Sequence, residues 1–334
     1  MAATTFSIIA MRMRTVWQMP ALSFLLMFVS MSSGGSAQQA TPQTFAGTWV
    51  MKLGERNLFV LQMQAAGGSV TGSMARPTDS WNSNGIFANM RGGIRHDPIT
   101  AAAIRDGVLH LTLQNANNPK DQDKFVMSVS GSAASLAWDD LSDDLISPTQ
   151  TFERAAPGAQ VATDWEPNRL YTSGDLDTPS AEMEAIYTED QRVRKAPSID
   201  WKVVNRTDAE RRADTKQLLA SGALHTGKDY EEASFVFQHG DSPADYLLAH
   251  TLAMIAVSKG DVTAIWIASA TLDRYLKQIG QKQVFGTQYF MDTERHWTQE
   301  PYDRGLVSDA VRHQLGVPDQ SEQAKQLKAF EKQK

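Results

Sequence analysis

The sequence predicts an α+β protein of two domains, a small antiparallel β-barrel or sandwich over residues 44–156 and an all-α helical domain over 179–320. Three observations carry that reading. Apolar and polar residues alternate in the first part, helix-capping signals recur after residue 178, and a Pro-, Gly- and Asp-rich connection over 157–178 separates the two patterns. About three hundred residues exceed what one small core holds.

The strands come first. Leu109, Leu111 and Leu113 alternate with His110, Thr112 and Gln114, and Phe125, Met127 and Val129 alternate with Val126, Ser128 and Ser130. Period two marks half-buried strands. Asp106-Gly107, between Ile104 and Val108, predicts a two-residue hairpin turn, and Gly67-Gly68 a second turn after a strand at Leu58 to Leu61. Trp81, Phe87 and Met90 fall in a Gly- and Asn-rich stretch expected to form a lid or an edge loop. A barrel this small is either filled by its own side chains or keeps a ligand cup. His96 and His110 lack ligand-like spacing and read as surface residues.

Helix starts follow. Thr178-Pro179 opens one helix, Thr207 with Glu210 and Thr226 with Asp229 form capping boxes, and Ser242-Pro243 with Asp245 combines cap, proline and acid. Glycines at 222, 240, 260, 280 and 316 mark the stops. Six to eight helices result. A Lys- and Gln-rich tail, 321–334, has Leu327 and Phe330 on one side and reads as a solvated or docking helix.

Residues 1–37 have the form of an export signal, with Arg12 and Arg14 ahead of an apolar run from Pro20 to Met31 and small residues at Gly35, Ser36 and Ala37. The run falls short of a membrane span, so a periplasmic or secreted protein with no membrane span after cleavage is expected. Cleavage takes two of 32 basic residues and none of 38 acidic ones, leaving a net charge of −8. That surface, without a basic tract, argues against nucleic acid and anionic membranes as partners. The sequence contains no cysteine, which excludes disulfides and thiol catalysis. Familiar nucleophile-elbow, phosphate-loop, zinc and dinucleotide motifs are missing, and no cofactor is expected.

Phe45-Ala-Gly47-Thr-Trp49 resembles the first strand of calycin and lipocalin-like barrels, with Phe152-Glu-Arg154 as the closing counterpart. The resemblance implies a tryptophan over the barrel floor covered by an arginine. Further on stand Tyr187-Thr-Glu-Asp190-Gln191-Arg-Val-Arg194, Asp229-Tyr230, Phe237-Gln238-His239-Gly240-Asp241, Asp245-Tyr246-Leu-Leu-Ala-His250, Ala270-Thr-Leu-Asp273-Arg274 and Phe285-Gly286-Thr287-Gln288. In that order they resemble the bacterial domain of unknown function 6624 family over residues about 180–290. That resemblance implies no activity and supplies no catalytic residues.

Tyr246 to Val257 and Val262 to Leu272 contain no charged residue, so both must be core helices. Lys259-Gly260 is too short a turn to allow anything but antiparallel neighbours, so positions whose numbers sum to about 519 lie level. Tyr246 then faces Asp273, His250 faces Ser269, and the Phe285 to Gln288 loop emerges beside the His239 to Asp241 turn. A polar pole follows. Its candidate catalytic groups are His239, His250, Asp273 and Arg274, and its candidate ligand contacts are Gln238, Asp241, Tyr246, Gln288, Asp190 and Arg194. A metal on His239, Asp241 and His250 is not expected, because His250 stands roughly 10 Å up its helix.

The competing structural account is an Asp273 ion pair with Arg274 or Arg194, a histidine bonded to a carbonyl, and His239 at a helix C-terminus. The functional expectation is a binding or interaction protein recognising a small molecule, a peptide or envelope material, with Asp273→Ala weakening the ligand while the fold survives. One alternative is a hydrolase or transferase using His250 or His239 as acid/base, Asp273 as orienter and Arg274 or Gln288 against an anion. Another is a helical protein–protein adaptor.

Overall fold

Alternating strands joined by tight turns must pair with their sequence neighbours, and here they close on themselves. The computed structural model describes residues 40–83, 86–139, 149–172, 175–176 and 178–332. The export-signal reading of 1–37 lies outside them. After a single turn of helix α1 (Pro42–Phe45) come β1 (Gly47–Leu53), β2 (Arg56–Ala66), β3 (Ser69–Ser83), β4 (Ile86–Arg105), β5 (Val108–Gln114), β6 (Gln122–Ser130), β7 (Ala133–Trp138) and β8 (Gln150–Arg154). Each pairs antiparallel with the next, and β8 returns to β1. The result is a closed up-and-down barrel of eight strands, which leaves no edge to protect. Asp106 and Gly107 supply the two positive φ angles, 48° and 82°, that the β4–β5 turn requires.

The lower barrel is filled. Leu109, Leu111 and Leu113 meet Phe125, Met127, Leu61 and Phe152, all at most 2% exposed. Trp49 plugs the floor, donating from Nε1 to Phe45 O at 2.8 Å, with the Arg154 guanidinium 4.0 Å above its ring. Arg154 Nη2 also donates to Thr44 O at 2.7 Å, and Nη1 to Ala46 O. This is the closure that the calycin resemblance implies.

The stretch expected as a lid is strand instead. Phe87 and Met90 belong to β4 and are buried, and Phe87 pairs with Tyr171 of a short β9 (Tyr171–Thr172). The Gly/Asn composition that suggested a loop serves long, irregular pairing in the β3–β4 hairpin, whose register shifts twice. Trp81 lies in β3, its side chain outside the described residues.

The connection binds both parts. Asn57 N donates to Asp164 Oδ1 at 2.5 Å on the barrel side, and Leu170 N donates to Ser258 O at 2.9 Å on the helical side. Lys259, almost wholly buried, reaches Asp175 Oδ1 at 2.6 Å. Beyond it run α2 (Ala181–Arg194), α3 (Trp201–Ser221), α4 (Gly227–Phe237), α5 (Pro243–Ser258), a 3-10 turn leading into α6 (Ile265–Gln278), β10 (Phe290–Met291) paired with β11 (Trp297–Thr298), α7 (Asp309–Gln314) and α8 (Gln320–Lys332). The region is therefore not all-α. The irregular stretch between α6 and α7 turns back on itself as a small antiparallel pair.

Thr226 and Ser242 cap their helices as expected, while Ser180 rather than Thr178 caps α2. Thr207 does not open a helix. Asp200 caps α3, and Thr207 sits inside it with Oγ1 donating back to Val204 O at 3.0 Å. The tail forms α8, docked through Phe330 against Tyr289 and Trp297 at 5.3 and 5.0 Å between ring centres. Among the described residues no helix is long and apolar enough to cross a membrane.

Candidate functional site

Helix α3 shows why the pole looks as it does. Its buried stripe, Val204, Asp208, Arg211, Arg212, Thr215 and Leu218, has helical spacing but is mostly polar. It must find ionic partners on its neighbours. Arg194 of α2 donates to Asp208 at 2.7 Å and to Asp190 at 2.9 Å, and Arg211 adds contacts to both carboxylates. Burial works to raise the Asp208 carboxyl, but hydrogen bonds from Arg194 and Arg211 outweigh it and hold the group below the usual carboxylate range.

The Gln238 to Asp241 turn is stitched to this network. His239 Nδ1 lies 3.1 Å from Asp190, Arg212 donates to His239 O at 2.9 Å, and Tyr246 OH donates to Gly240 O at 2.7 Å. Arg274 reaches Gln238 O at 3.3 Å. Arg212 stands 3.5 Å from the exposed Asp241 and 3.8 Å from Asp245. Thus Asp190, Arg194, Gln238, His239, Asp241, Tyr246 and Arg274 do converge on one end of the bundle. The sequence reading missed Asp208, Arg211, Arg212 and Asp245, which the polar helical stripe in α3 would have indicated.

His250 and Asp273 go elsewhere. His250 Nδ1 bonds Ala268 O at 2.9 Å, the carbonyl bond of the structural account, at positions whose numbers sum to 518. Asp273, wholly buried, accepts from Val284 N at 2.7 Å, Phe285 N at 3.1 Å, Thr287 N at 3.0 Å and Thr287 Oγ1 at 2.8 Å. Gln288 Nε2 donates to Ala270 O at 3.0 Å. Tyr246, His250 and Asp273 therefore do not bond to one another, and Asp273 forms no ion pair with Arg274 or Arg194.

The loop that Asp273 anchors is itself a knot of buried amides. Phe285 O accepts from Gln323 Nε2 at 2.8 Å, and Gln299 Nε2 donates to Gly286 O at 2.6 Å. Gly286 has φ +78°, and a Cβ there would lie 2.2 Å from Gln323 Oε1 and 2.6 Å from the Tyr302 ring. Gly286→Ala is expected to lower stability by about 2–4 kcal/mol through strain and overpacking. Urea denaturation followed by circular dichroism checks this, and a loss below about 1 kcal/mol would contradict it.

A carboxylate-oriented imidazole is what general-base chemistry needs. Yet Asp190 is shared with Arg194 and Arg211, and no side chain among the described residues bonds His239 Nε2. Among the described residues no group of three His, Asp or Glu is placed to hold a metal.

The largest cavity described is in the barrel, at the end opposite Trp49, where the β5–β6 connection lies. It holds about 640 Å³. Phe59, Met74 and Phe125 form its apolar base, beside Trp138, whose ring lies 4.4 Å from that of Phe125. The walls are polar. Asp97, fully buried, accepts from Arg76 Nε at 2.6 Å, Arg95 Nε at 3.0 Å and Ala116 N at 2.9 Å, while Arg76 Nη2 also meets Asp123. Around the cup Arg76, Arg91 and Arg95 stand among Asp79, Asp97, Asp121 and Asp123, so charges of both signs surround it. The amide side chains of Asn89 and Gln150 line it without a hydrogen bond to any described residue.

No protein-family model matches the chain, no curated protein is similar to it, and no solved structure matches it.

Proposed function

We propose that this chain is an exported binding protein that holds a polar, uncharged or zwitterionic small molecule in the barrel cup. The observation that carries this reading is the cup itself, about 640 Å³ with charges of both signs, two amides that bond no described residue, and an aromatic wall. Ligand sites of this size lie characteristically in barrel mouths, where a few polar groups fix the orientation of a molecule resting on aromatic rings. Export is supported by the leader-like composition of residues 1–37, and the relation to the bacterial domain of unknown function 6624 family by the residues quoted for it.

The mixture of signs points to the ligand class. A net anion would meet four aspartates and a net cation three arginines, whereas a neutral or zwitterionic molecule can use both signs. Native mass spectrometry of the purified protein against amino acids, monosaccharides and disaccharides is expected to give a binder. Gln150→Leu and Asn89→Gly, the glycine chosen because Asn89 has φ +56°, should each weaken it about tenfold, the value of one hydrogen bond, with the unfolding midpoint unchanged. A panel with no binder, or one indifferent to both substitutions, would refute the assignment.

A further inference from the structure

We propose that Arg274 marks a second binding site, at the pole of the helical region, for the oxyanion group of a small anionic molecule. It goes beyond the barrel cup, and neither site depends on the other.

An arginine drawn into the protein ordinarily has a carboxylate beside it, and the half-buried Arg274 has none among the described residues. Its Nε is sealed from solvent with no acceptor, Nη1 reaches only Gln238 O at a long 3.3 Å, and Nη2 has no acceptor among the described residues. The pole's carboxylates all face other groups. Asp190 and Asp208 are held by Arg194 and Arg211, the exposed Asp241 stands against Arg212, Asp245 is held by Ser242 and Arg212, and Asp273 by its loop. Burial lowers the Arg274 pKa, and the nearby Arg194 charge adds to that, against Tyr246.

One turn further along α6, Lys277 also has no ion pair among the described residues and lies over the Phe290 ring at 3.3 Å. Its pKa is lowered by burial and then by Arg274. Two like charges are thus held on one helix face with nothing between them to neutralise either, an arrangement that costs stability while it stands unfilled. The Gln238 side-chain amide has no partner among the described residues, and Arg274 reaches the carbonyl of the same residue. An oxyanion presenting a pair of oxygens to the guanidinium, with Lys277 as a second charge, supplies the acceptors that Arg274 lacks. The group is a carboxylate or a phosphate, since both offer such an oxygen pair.

Thermal unfolding of the protein in sodium phosphate, sodium acetate and sodium chloride at matched ionic strength tests this. A saturable rise in midpoint, on the order of 5 °C, is expected with phosphate or acetate over chloride. A larger response to one of them at equal concentration assigns the group. Arg274→Met should be at least as stable as wild type in chloride and should lose the anion-specific rise, leaving only the generic salting effect of phosphate. A wild-type midpoint that follows ionic strength alone, or an Arg274→Met response equal to wild type, overturns the proposal. If Arg274→Met does not fold, Arg274→Lys carries the test: it should need at least threefold more anion for the same rise, and an unchanged requirement overturns the site.

Discussion

Replacing Asp273 by alanine is expected to lower stability by about 3–5 kcal/mol, enough to threaten the fold rather than a ligand. Its carboxylate is wholly buried and serves four donors of the 284–287 loop. Alanine leaves three backbone N–H groups and the Thr287 hydroxyl without an acceptor in a place water does not reach. Each unsatisfied buried group costs on the order of 1–3 kcal/mol, and relaxation of the loop recovers part of the sum. Asp273→Asn should cost less, about 2 kcal/mol, because one oxygen still accepts while the amide NH2 opposes donors. Urea melts of the two variants give the comparison. If Asp273→Ala lies within about 1 kcal/mol of wild type, the loop is held by something other than this carboxylate. The outcome matters for the earlier expectation that the substitution would touch only ligand affinity. A carboxylate whose lone pairs are already spent on backbone has little left to offer a substrate.

The same logic runs through the residues that suggested a site in the sequence. Asp229 accepts from Ser180 N, His225 N and Thr226 N, so it fastens the start of α2 to the start of α4. Gly240 admits Asp245, since a Cβ there would lie 2.3 Å from the Asp245 side chain, and Gly286 admits Gln323 and Tyr302. Polar motifs between greasy helices signal loop anchoring as strongly as they signal chemistry, and sequence alone does not separate the two. What is left with most of its donors unused is Arg274, which makes one long bond to Gln238 O and whose spacing in α6 looked no different from that of Asp273 beside it.

Local rules were legible because they act over a few residues. Asp106-Gly107 fixes its turn by backbone conformation, Ser242-Pro243 its helix start, and the antiparallel arithmetic put His250 opposite the 268–269 turn of α6, where its carbonyl partner sits. Thr207 misled because a threonine three residues before a glutamate also fits a helix interior, where the hydroxyl bonds the preceding turn. A ligand cup is one of the two alternatives that the sequence offers for the barrel, but its polar walls were not legible. Arg76, Asp97 and Asp123 stand 21 and 26 residues apart on three strands, and only the closed register of the barrel brings them together. Alternation does place all three on inward positions, where a charged residue is the signal that the core stops and a site begins.

That signal sets up the second large effect. Asp97→Ala is expected to cost about 3–5 kcal/mol, because it leaves Arg76 and Arg95 facing each other inside the barrel with one fewer carboxylate and orphans Ala116 N. Arg76 keeps Asp123, and Arg95 keeps Thr78 O at 3.3 Å, so the barrel bends before it breaks. Arg76→Met alone removes one of two cations from Asp97 and should cost less. Combined with Asp97→Ala it should recover part of the loss, since the double variant removes a charge together with its partner, and a coupling of about 1–3 kcal/mol in the double-mutant cycle is the expected result. A coupling near zero would mean that the two side chains are solvated independently and that the cup is an open, water-filled mouth. A strong coupling means that the polar walls are pre-ordered before any ligand arrives, which is what lets a shallow barrel mouth discriminate among small polar molecules at low entropic cost.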